Sequence, residues 1–394
     1  MSHRPPMLPP ERYLFDIESR WPELGRLVDR AKELDAENRE RFGGSPAEGS
    51  GTWLSVLSAS YAYAKGFVPE EAANPDGTVD ASRLPGGSLA SCIEAAVAAH
   101  AIPDVDDVSL YDAWPSWKAV YRFDEELACE LAGSGWADGV PCSDLDRLPA
   151  ECLYVQAPIM ATANLRAARK EGMERFVGGS PVKCDGFFAW KSDLWLDRRG
   201  GRRSVRNLCL RFVTAGGESA GEVLLSLDLD SLEGAIAEDV RYFASQGADP
   251  WLEAAFRDQH ADLARRACSL LLYLASFSPE IRPAGKTRRQ RKAAGSERVG
   301  GAELFDVGFE IGSAIRSYRI AGERRAAAGG RVRPHVRRGH FHHYWTGPRE
   351  RREKVLRWIH PLVVNEGGGD LATTVRDVPA TGVPPRLIGE RSDR

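Results

Sequence analysis

The 394-residue sequence has no apolar run of the roughly 18–20 residues that a membrane-spanning helix requires. Its most apolar stretch, residues 270–277, lies within a longer amphipathic pattern. The first thirty residues carry charges throughout and lack the apolar core and small-residue cleavage site of a signal peptide. The sequence therefore predicts a cytoplasmic protein with no membrane association.

Paired cysteine motifs are also missing. The seven cysteines form no CxxC pair, so the sequence indicates neither a disulfide framework nor a cysteine zinc site, and buried thiols are expected. A phosphate-binding loop, a GxSxG nucleophile elbow and an HExxH zinc motif are absent as well. These absences argue against common nucleotide, hydrolase and zinc-protease chemistries, and no cofactor is expected.

Charge is abundant but unevenly distributed. The net charge is only -3, yet residues 281–360 carry 20 Lys and Arg against 7 Asp and Glu, an excess of 13 positive charges. The residues before this segment carry 29 basic against 44 acidic side chains. A basic segment of this size favours a polyanionic partner, and nucleic acid is the commonest one.

The order of predicted elements indicates an α+β fold. Residues 1–147 form a predicted helical N-terminal region, with a helix from Pro10, a break at Pro22 and a further helix over residues 115–132. Residues 148–281 form a predicted central antiparallel sheet with covering helices, because short runs of strand formers alternate with Gly-centred turns. The predicted strands are residues 152–157, 186–196, 205–213 and 222–229, the last three forming a meander.

The rest of the chain is predicted to contain a basic linker, a helix and a basic β-hairpin. Residues 282–301 have the composition of a solvated linker or of a loop that contacts phosphate. Residues 302–365 combine a His/Arg-rich hairpin with an amphipathic helix that runs through Leu304, Val307, Ile311, Ile315 and Tyr318. Residues 366–394 are expected to be a disordered tail.

Histidines concentrate in the predicted hairpin. Histidine transfers protons near neutral pH, and arginine holds phosphate through two parallel hydrogen bonds. Metal-independent RNA cleavage needs this combination: a base for the ribose 2'-hydroxyl, an acid for the leaving oxygen, and cations around the phosphate. Five of the eight histidines fall within 26 residues beside several arginines, namely His335, His340, His342, His343 and His360.

Side chains alternate between the two faces of a strand, which divides this cluster into two sets. One face carries Arg338, His340, His342 and Tyr344, and the other carries His335, Arg337, Phe341, His343 and Trp345. The predicted catalytic residues are His340, His342 and His335, and the predicted phosphate-binding residues are Arg337, Arg338, Arg349 and Arg357. Tyr344 and Trp345 are candidates for stacking on bases, although packing against the sheet is the favoured interpretation for Trp345.

Metal sites fit these residues less well. His340 and His342 could share a zinc ion, but no third ligand is evident nearby and the neighbouring arginines would repel a dication. Glu303, Asp306 and Glu310 share one side of the predicted helix, which a solvated face explains better than a magnesium site. The sequence therefore predicts no metal site.

The block from residue 334 to residue 365, PHVRRGHFHHYWTGPRERREKVLRWIHPLVVN, resembles the C-terminal signature of the second type V-A anti-CRISPR family. Weaker resemblance extends to LPAECLYVQAP, GFFAWKSDLW and AELFDVGFEIGSAIR, and together these cover the C-terminal three-fifths of the chain discontinuously. The resemblance implies a phage or mobile-element protein that recognises the nascent peptide of a CRISPR effector nuclease and causes loss of its messenger RNA. The matching positions are His335, Arg338, His340, His342, Trp345, Gly347, Trp358 and Pro361.

Three functions stay open on the sequence alone. The leading hypothesis is an anti-CRISPR-like inhibitor that recognises a nascent chain and its mRNA, with RNA cleavage by His340 and His342 as an added step. The second is a non-enzymatic adaptor of a mobile element, whose acidic part binds protein and whose basic segment binds nucleic acid. The third is a structural protein whose histidines are satisfied within the sheet. The target, the transcript and the oligomeric state stay open.

Overall fold

A computed structural model describes residues 7–42, 57–58, 61–72, 80–136, 139–157, 161–162, 182–198, 201–244, 250–284, 298–327, 335–337, 339–360 and 362–364. The helices treated below are α1 (Pro9–Arg20), α2 (Leu24–Phe42), α3 (Leu89–Ala98), α4 (Val105–Ala113), α5 (Glu125–Ala132), α6 (Leu232–Ala244), α7 (Pro250–Ala275) and α8 (Phe309–Ala327). The strands are β1 (Ala119–Phe123), β2 (Cys152–Gln156), β3 (Ala161–Thr162), β4 (Val182–Arg198), β5 (Gly201–Thr214), β6 (Ser219–Ser226), β7 (Ile281–Pro283), β8 (Glu303–Val307), β9 (His335–Arg337), β10 (His340–Thr346), β11 (Glu353–Ile359) and β12 (Leu362–Val364).

The centre of the molecule is a mixed sheet with the strand order β6–β5–β4–β2–β1–β8–β7, to which β3 adds by pairing with β4. Strands β4, β5 and β6 form the antiparallel meander that the sequence predicts, and β2 pairs antiparallel with β4. Strand β1 is parallel to both β2 and β8. The α+β architecture is therefore confirmed, with a parallel centre inside a largely antiparallel sheet.

Two helix predictions are wrong in part. Residues 115–132 are not one helix, because Ala119–Phe123 is strand β1 and α5 begins only at Glu125. Four of the five β1 residues are buried, and such an inner parallel strand lacks the alternation that marks a strand in a sequence. The helix predicted from Leu304 likewise begins later, at Phe309, after strand β8.

Gly308 makes the sharp change from β8 to α8 possible. Its φ of 70° lies in the left-handed region, and a Cβ at this position would overlap the Leu127 side chain. Because β8 is a strand, the three acidic residues considered for magnesium do not share a helix side. Asp306 instead accepts a hydrogen bond from Arg122, and Glu310 pairs with Arg282.

The sheet is the middle of three layers. Alternate residues of the inner strands enter different cores, so that Leu153 and Phe187 face one core while Tyr154 and Phe188 face the other. The first core is completed by α5, α6, α7 and the β10–β11 hairpin, and the second by α1, α2 and α4. The N-terminal helices and the hairpin thus lie on opposite faces of the sheet.

The sheet crosses the boundaries of the predicted units, since β1 precedes residue 147, β7 runs from residue 281 into the predicted linker, and β8 follows residue 301. The division into these units stays a prediction. The end of the predicted basic linker is anchored: Arg298 pairs with Asp29 at 2.7 Å, and the Val299 carbonyl accepts from the Trp114 indole at 3.0 Å. Residues 286–292, the KTRRQRK run that makes this linker basic, and residues 366–394 lie outside the described residues.

Two further sequence expectations concern cysteines and membranes. Six of the seven cysteines are buried and only Cys129 is exposed, as expected for structural thiols. Burial raises the pKa of the Cys142 thiol to about 11, which disfavours the reactive thiolate. Among the described residues, no helix combines the length and apolar character needed to cross a membrane.

Candidate nucleic-acid interface

The His/Arg-rich segment forms the hairpin that the sequence predicts. Strands β10 and β11 pair antiparallel from His340 opposite Ile359 to Thr346 opposite Glu353, and β9 pairs with β12 beyond them. The turn between β10 and β11 starts at Gly347, whose φ of 91° favours glycine. Gly339 leaves room for the neighbouring indole, because a Cβ there would lie 2.7 Å from the Trp358 ring.

One face of the hairpin, the inner face, is buried against the body of the protein. Phe341 and Leu356 are each 1% exposed and belong to the same core as α5 and α7. Trp358 packs edge-on against Tyr273 with ring centroids 5.9 Å apart, and its indole N–H donates to Ser134 Oγ at 3.1 Å. Full burial of side chains of this size stabilises by about 1.5–3 kcal/mol each, so the hairpin is firmly docked.

Polar contacts from the 3-10 helix Cys142–Arg147 add to this docking. His343 Nε2 lies 2.8 Å from Asp144 Oδ2, and both side chains are mostly buried. Arg147 donates to the Lys354 carbonyl at 3.1 Å, and the His340 backbone forms a bridge with Gly135. His343 therefore anchors the hairpin. No local pattern in the sequence indicates its partner Asp144, which lies 199 residues away along the chain.

The opposite face of the hairpin carries exposed aromatic and basic side chains, and the exposed ring of Phe277, which follows α7, lies beside them. His342 and Arg357 are exposed and lie directly opposite each other in the strand register. The His342 and Tyr344 rings meet edge to face with centroids 4.8 Å apart, and the Arg357 guanidinium lies 4.6 Å from the centre of the Phe277 ring. The four residues Phe277, Arg357, His342 and Tyr344 are called the outer row below.

The structure brings three of the predicted site residues together in the outer row, namely His342, Tyr344 and Arg357. His340 lies on the same strand face as His342 and is half-buried, and Arg349 is exposed in the turn. The expectation that Trp345 packs against the sheet is wrong, because its side chain is 67% exposed. The side chains of His335 and Arg337 and the whole of Arg338 lie outside the described residues.

The outer row carries positive charge that is not neutralised locally. In the part of the chain that the structure describes, no carboxylate lies within ion-pair distance of Arg357 or His342. Nor do three or more His, Cys, Asp or Glu side chains come together there in a way that could hold a metal ion. Within these residues, the chemistry available on the row is phosphate binding, base stacking and proton transfer.

This chain is similar to known proteins in its structure and in its sequence. A crystal structure of AcrVA2 superposes with a TM-score of 0.55 at 18% identity, covering 91% of this chain and 100% of that chain, and this likeness concerns the fold. Protein FinQ of Escherichia coli is 23% identical over 270 residues, which is 64% of this chain and 74% of FinQ. The model of the AcrVA2-like family, described as the anti-CRISPR type V subtype A2 family, matches residues 121–366.

The matched span begins in β1 and includes the sheet, α5 to α8 and the whole His/Arg-rich hairpin. It confirms the resemblance of the hairpin block and extends it through the central sheet. Because the match covers more than half of the chain, this protein belongs to the anti-CRISPR type V subtype A2 family.

Proposed function

We propose that this anti-CRISPR-like protein suppresses synthesis of a target protein by binding the target's messenger RNA while the nascent chain is being made. Family membership supports the nascent-chain part of this proposal. The RNA part rests on one observation, the outer row, in which the exposed Arg357 guanidinium and the exposed His342 imidazole lie between two exposed aromatic rings. Rows of this composition bind nucleic acid because phosphates contact the cations while bases stack on the rings.

The docking of the hairpin makes the outer row a prepared binding surface. Phe341 and Leu356 fix the strands to the core, and the bond between His343 and Asp144 fixes the side of β10 that faces away from the outer row. A ligand therefore meets side chains whose strand positions are already set. Less conformational freedom is lost on binding than for a free hairpin.

The same face offers a route to RNA cleavage without a metal ion. His340 and His342 are two residues apart on β10, so their backbone positions are separated by about 6.8 Å, enough for one imidazole on each side of a phosphate. One imidazole takes the 2'-hydroxyl proton as the 2'-oxygen attacks phosphorus. The other protonates the 5'-oxygen as its bond to phosphorus breaks. Arg357, opposite His342, stabilises the negative charge on the phosphate.

The experiment that tests this function is incubation of the purified protein with labelled single-stranded RNA in the presence of EDTA. We expect the wild type to bind and cleave the RNA, and the His340→Ala/His342→Ala double variant to bind it without cleavage. A matched double variant in the same hairpin, Glu350→Ala/Glu353→Ala, removes two exposed carboxylates and should still cleave.

Two outcomes would contradict the cleavage step. Cleavage by the histidine double variant would place the chemistry elsewhere. Binding without cleavage by all three proteins would instead support the adaptor hypothesis, in which another nuclease removes the transcript. Absence of any RNA binding would contradict the proposed function as a whole.

The nascent-chain part needs a separate test in a coupled translation system. A transcript encoding a type V effector nuclease is compared with the same transcript lacking its start codon. We expect the protein to deplete the translated transcript faster than the untranslated one, which is open only to the cleavage of free RNA. Equal depletion of both would show that recognition of the nascent chain is not required.

A further inference from the structure

Phe277 follows α7 and is presented to solvent by a turn of defined geometry. Its backbone N–H donates to the Leu356 carbonyl at 2.8 Å, which ties the end of α7 to β11. The Ser276 hydroxyl donates to the Tyr273 carbonyl at 2.7 Å, and Ser278 has a left-handed φ of 56°. The ring itself is 42% exposed, although the residues before it in the chain are buried.

Phe277 lies beneath the one arginine of the outer row. The Arg357 guanidinium sits 4.6 Å from the ring centre, and the position of the ring is set by the backbone bond to the neighbouring residue Leu356. This contact restricts the rotamers of Arg357, whose long side chain would otherwise lose more conformational freedom on binding a phosphate. Phe277 therefore has two possible actions toward a ligand: direct stacking and orientation of the guanidinium.

We infer that Phe277 is a nucleic-acid-binding residue and that the outer row accepts single-stranded RNA rather than duplex RNA. This inference rests on the proposed function and adds the class of RNA and a residue from outside the hairpin. The rings and the guanidinium of the row present faces, and only unpaired bases have free faces to stack on them. An A-form duplex offers instead its phosphates and a shallow minor groove.

The protein contains a close structural match to Phe277 that serves as a control. Phe309 is 41% exposed and also lies beneath an arginine, with Arg122 at 5.7 Å from its ring centre. Arg122, however, donates to Asp306 through Nε at 2.8 Å, so its charge is already neutralised. Both phenylalanines are similarly exposed, and each lies beneath an arginine. They differ in whether that arginine is paired with a carboxylate.

The test measures binding of a labelled, unstructured oligoribonucleotide by fluorescence anisotropy over a range of salt concentrations. The RNA carries 2'-O-methyl groups, so that it cannot be cleaved through its 2'-oxygen. We expect Phe277→Leu to weaken binding by about tenfold, the effect of losing one stacking contact. Phe277→Trp should bind within about twofold of the wild type, because it retains an aromatic face. Phe309→Leu should bind like the wild type.

Two further results identify the nature of the contact. The salt dependence should be the same for Phe277→Leu and the wild type, because no charge is removed. A duplex of equal length and modification should bind more weakly than the single strand. Thermal unfolding of Phe277→Leu, measured in parallel, should match that of Phe309→Leu.

Wild-type affinity in Phe277→Leu would overturn the role of Phe277, and equal affinity for single strand and duplex would overturn the assignment of RNA class. Failure of the wild type to bind either RNA would contradict the proposed function itself. The failure of the inference is thus distinguishable from the failure of the function on which it rests.

Discussion

Two arginines of this protein, Arg211 and Arg357, carry the same charge in opposite surroundings. Arg211 is fully buried on β5, where its Nη2 lies 2.8 Å from Glu222 and 3.5 Å from Asp107. Arg357 is exposed on β11 and rests on an aromatic ring. A guanidinium surrounded by carboxylates holds the fold together, whereas one supported by a ring keeps its charge available for a ligand.

The surroundings of Arg211 connect the N-terminal helices to the sheet. Asp104 and Asp107 come from the start of α4, Glu222 comes from β6, and Tyr13 of α1 donates to Asp107 at 2.5 Å. The elements α1, α4 and β6 thus meet around the buried charge of Arg211, on the side of the sheet that faces the second core. The hairpin contributes to the other core, so the structural arginine and the candidate RNA-binding arginine lie on opposite sides of the sheet.

The largest expected effect follows from removing the buried charge. Arg211→Met leaves a group of carboxylates without their cation, and breaking a buried ion pair in this way costs about 3–5 kcal/mol. Urea unfolding should show this loss, whereas Arg357→Met should change the free energy of unfolding by less than about 0.5 kcal/mol. Similar stabilities for the two variants would refute the contrast between the two arginines.

A smaller loss is expected when the polar anchor of the hairpin is removed. Asp144→Ala eliminates the partly buried bond to His343 and should cost about 1–2 kcal/mol in urea unfolding. Asp146→Ala is the matched control, because Asp146 makes an exposed ion pair with Arg206, of a kind worth about 0–1 kcal/mol. Equal losses in the two variants would show that the His343 bond does not anchor the hairpin.

The acidic side of the Arg211 cluster predicts a dependence of stability on pH. Desolvation of the half-buried Asp106 side chain, with the nearby charges of Glu222 and Asp104, raises its pKa to about 8, although Arg211 at 4.0 Å opposes this shift. In the unfolded chain this carboxyl loses its proton near pH 4, so between about pH 4 and pH 8 the folded state binds more protons. The contribution of Asp106 to the free energy of unfolding therefore decreases as pH rises through this range.

Asp106→Asn tests this dependence, since the amide does not titrate. Urea unfolding at several values between pH 5 and pH 8 should show a smaller decline with pH for the variant than for the wild type. The same pH dependence in both proteins would contradict the raised pKa. The outer row offers a comparison, because Arg357→Ala should leave the pH dependence of stability unchanged.

The smallest expected effect concerns the exposed arginine itself. Arg357→Ala removes one phosphate contact, so the slope of log affinity for single-stranded RNA against log salt should become shallower by about 0.7. Stability should stay close to that of the wild type. A weakened affinity with an unchanged salt slope would mean that Arg357 does not contact phosphate.

The elements that could be predicted from the sequence are those with a local signature. The meander and the β10–β11 hairpin have alternating side chains and turns rich in glycine or charged residues, and both were predicted, although each meander strand begins three or four residues before its predicted start. Strands β1 and β8 were missed because each has only five residues and is followed closely by a helix. Strand β1 lies inside the sheet, and β8 lies next to the short edge strand β7. At that length a buried strand and a helical turn have similar patterns.

The residues of the candidate site also divide into those that the sequence pattern indicates and those that it does not. His342, Tyr344 and Arg357 could be found because they belong to one dense segment of the sequence. Phe277 and Asp144 could not, since each meets the hairpin only through tertiary packing of distant segments. The pattern also could not show that His343 faces inward to a carboxylate, whereas His342 faces outward next to an arginine.

Photo-crosslinking can show whether RNA lies along the outer row. A single-stranded, 2'-O-methylated RNA containing 4-thiouridine is irradiated with the wild-type protein, and the crosslinked peptides are identified by mass spectrometry. We expect crosslinks at Phe277 and at residues of β10, with fewer crosslinks for Phe277→Leu. Crosslinks confined to other parts of the protein would contradict this placement of the RNA.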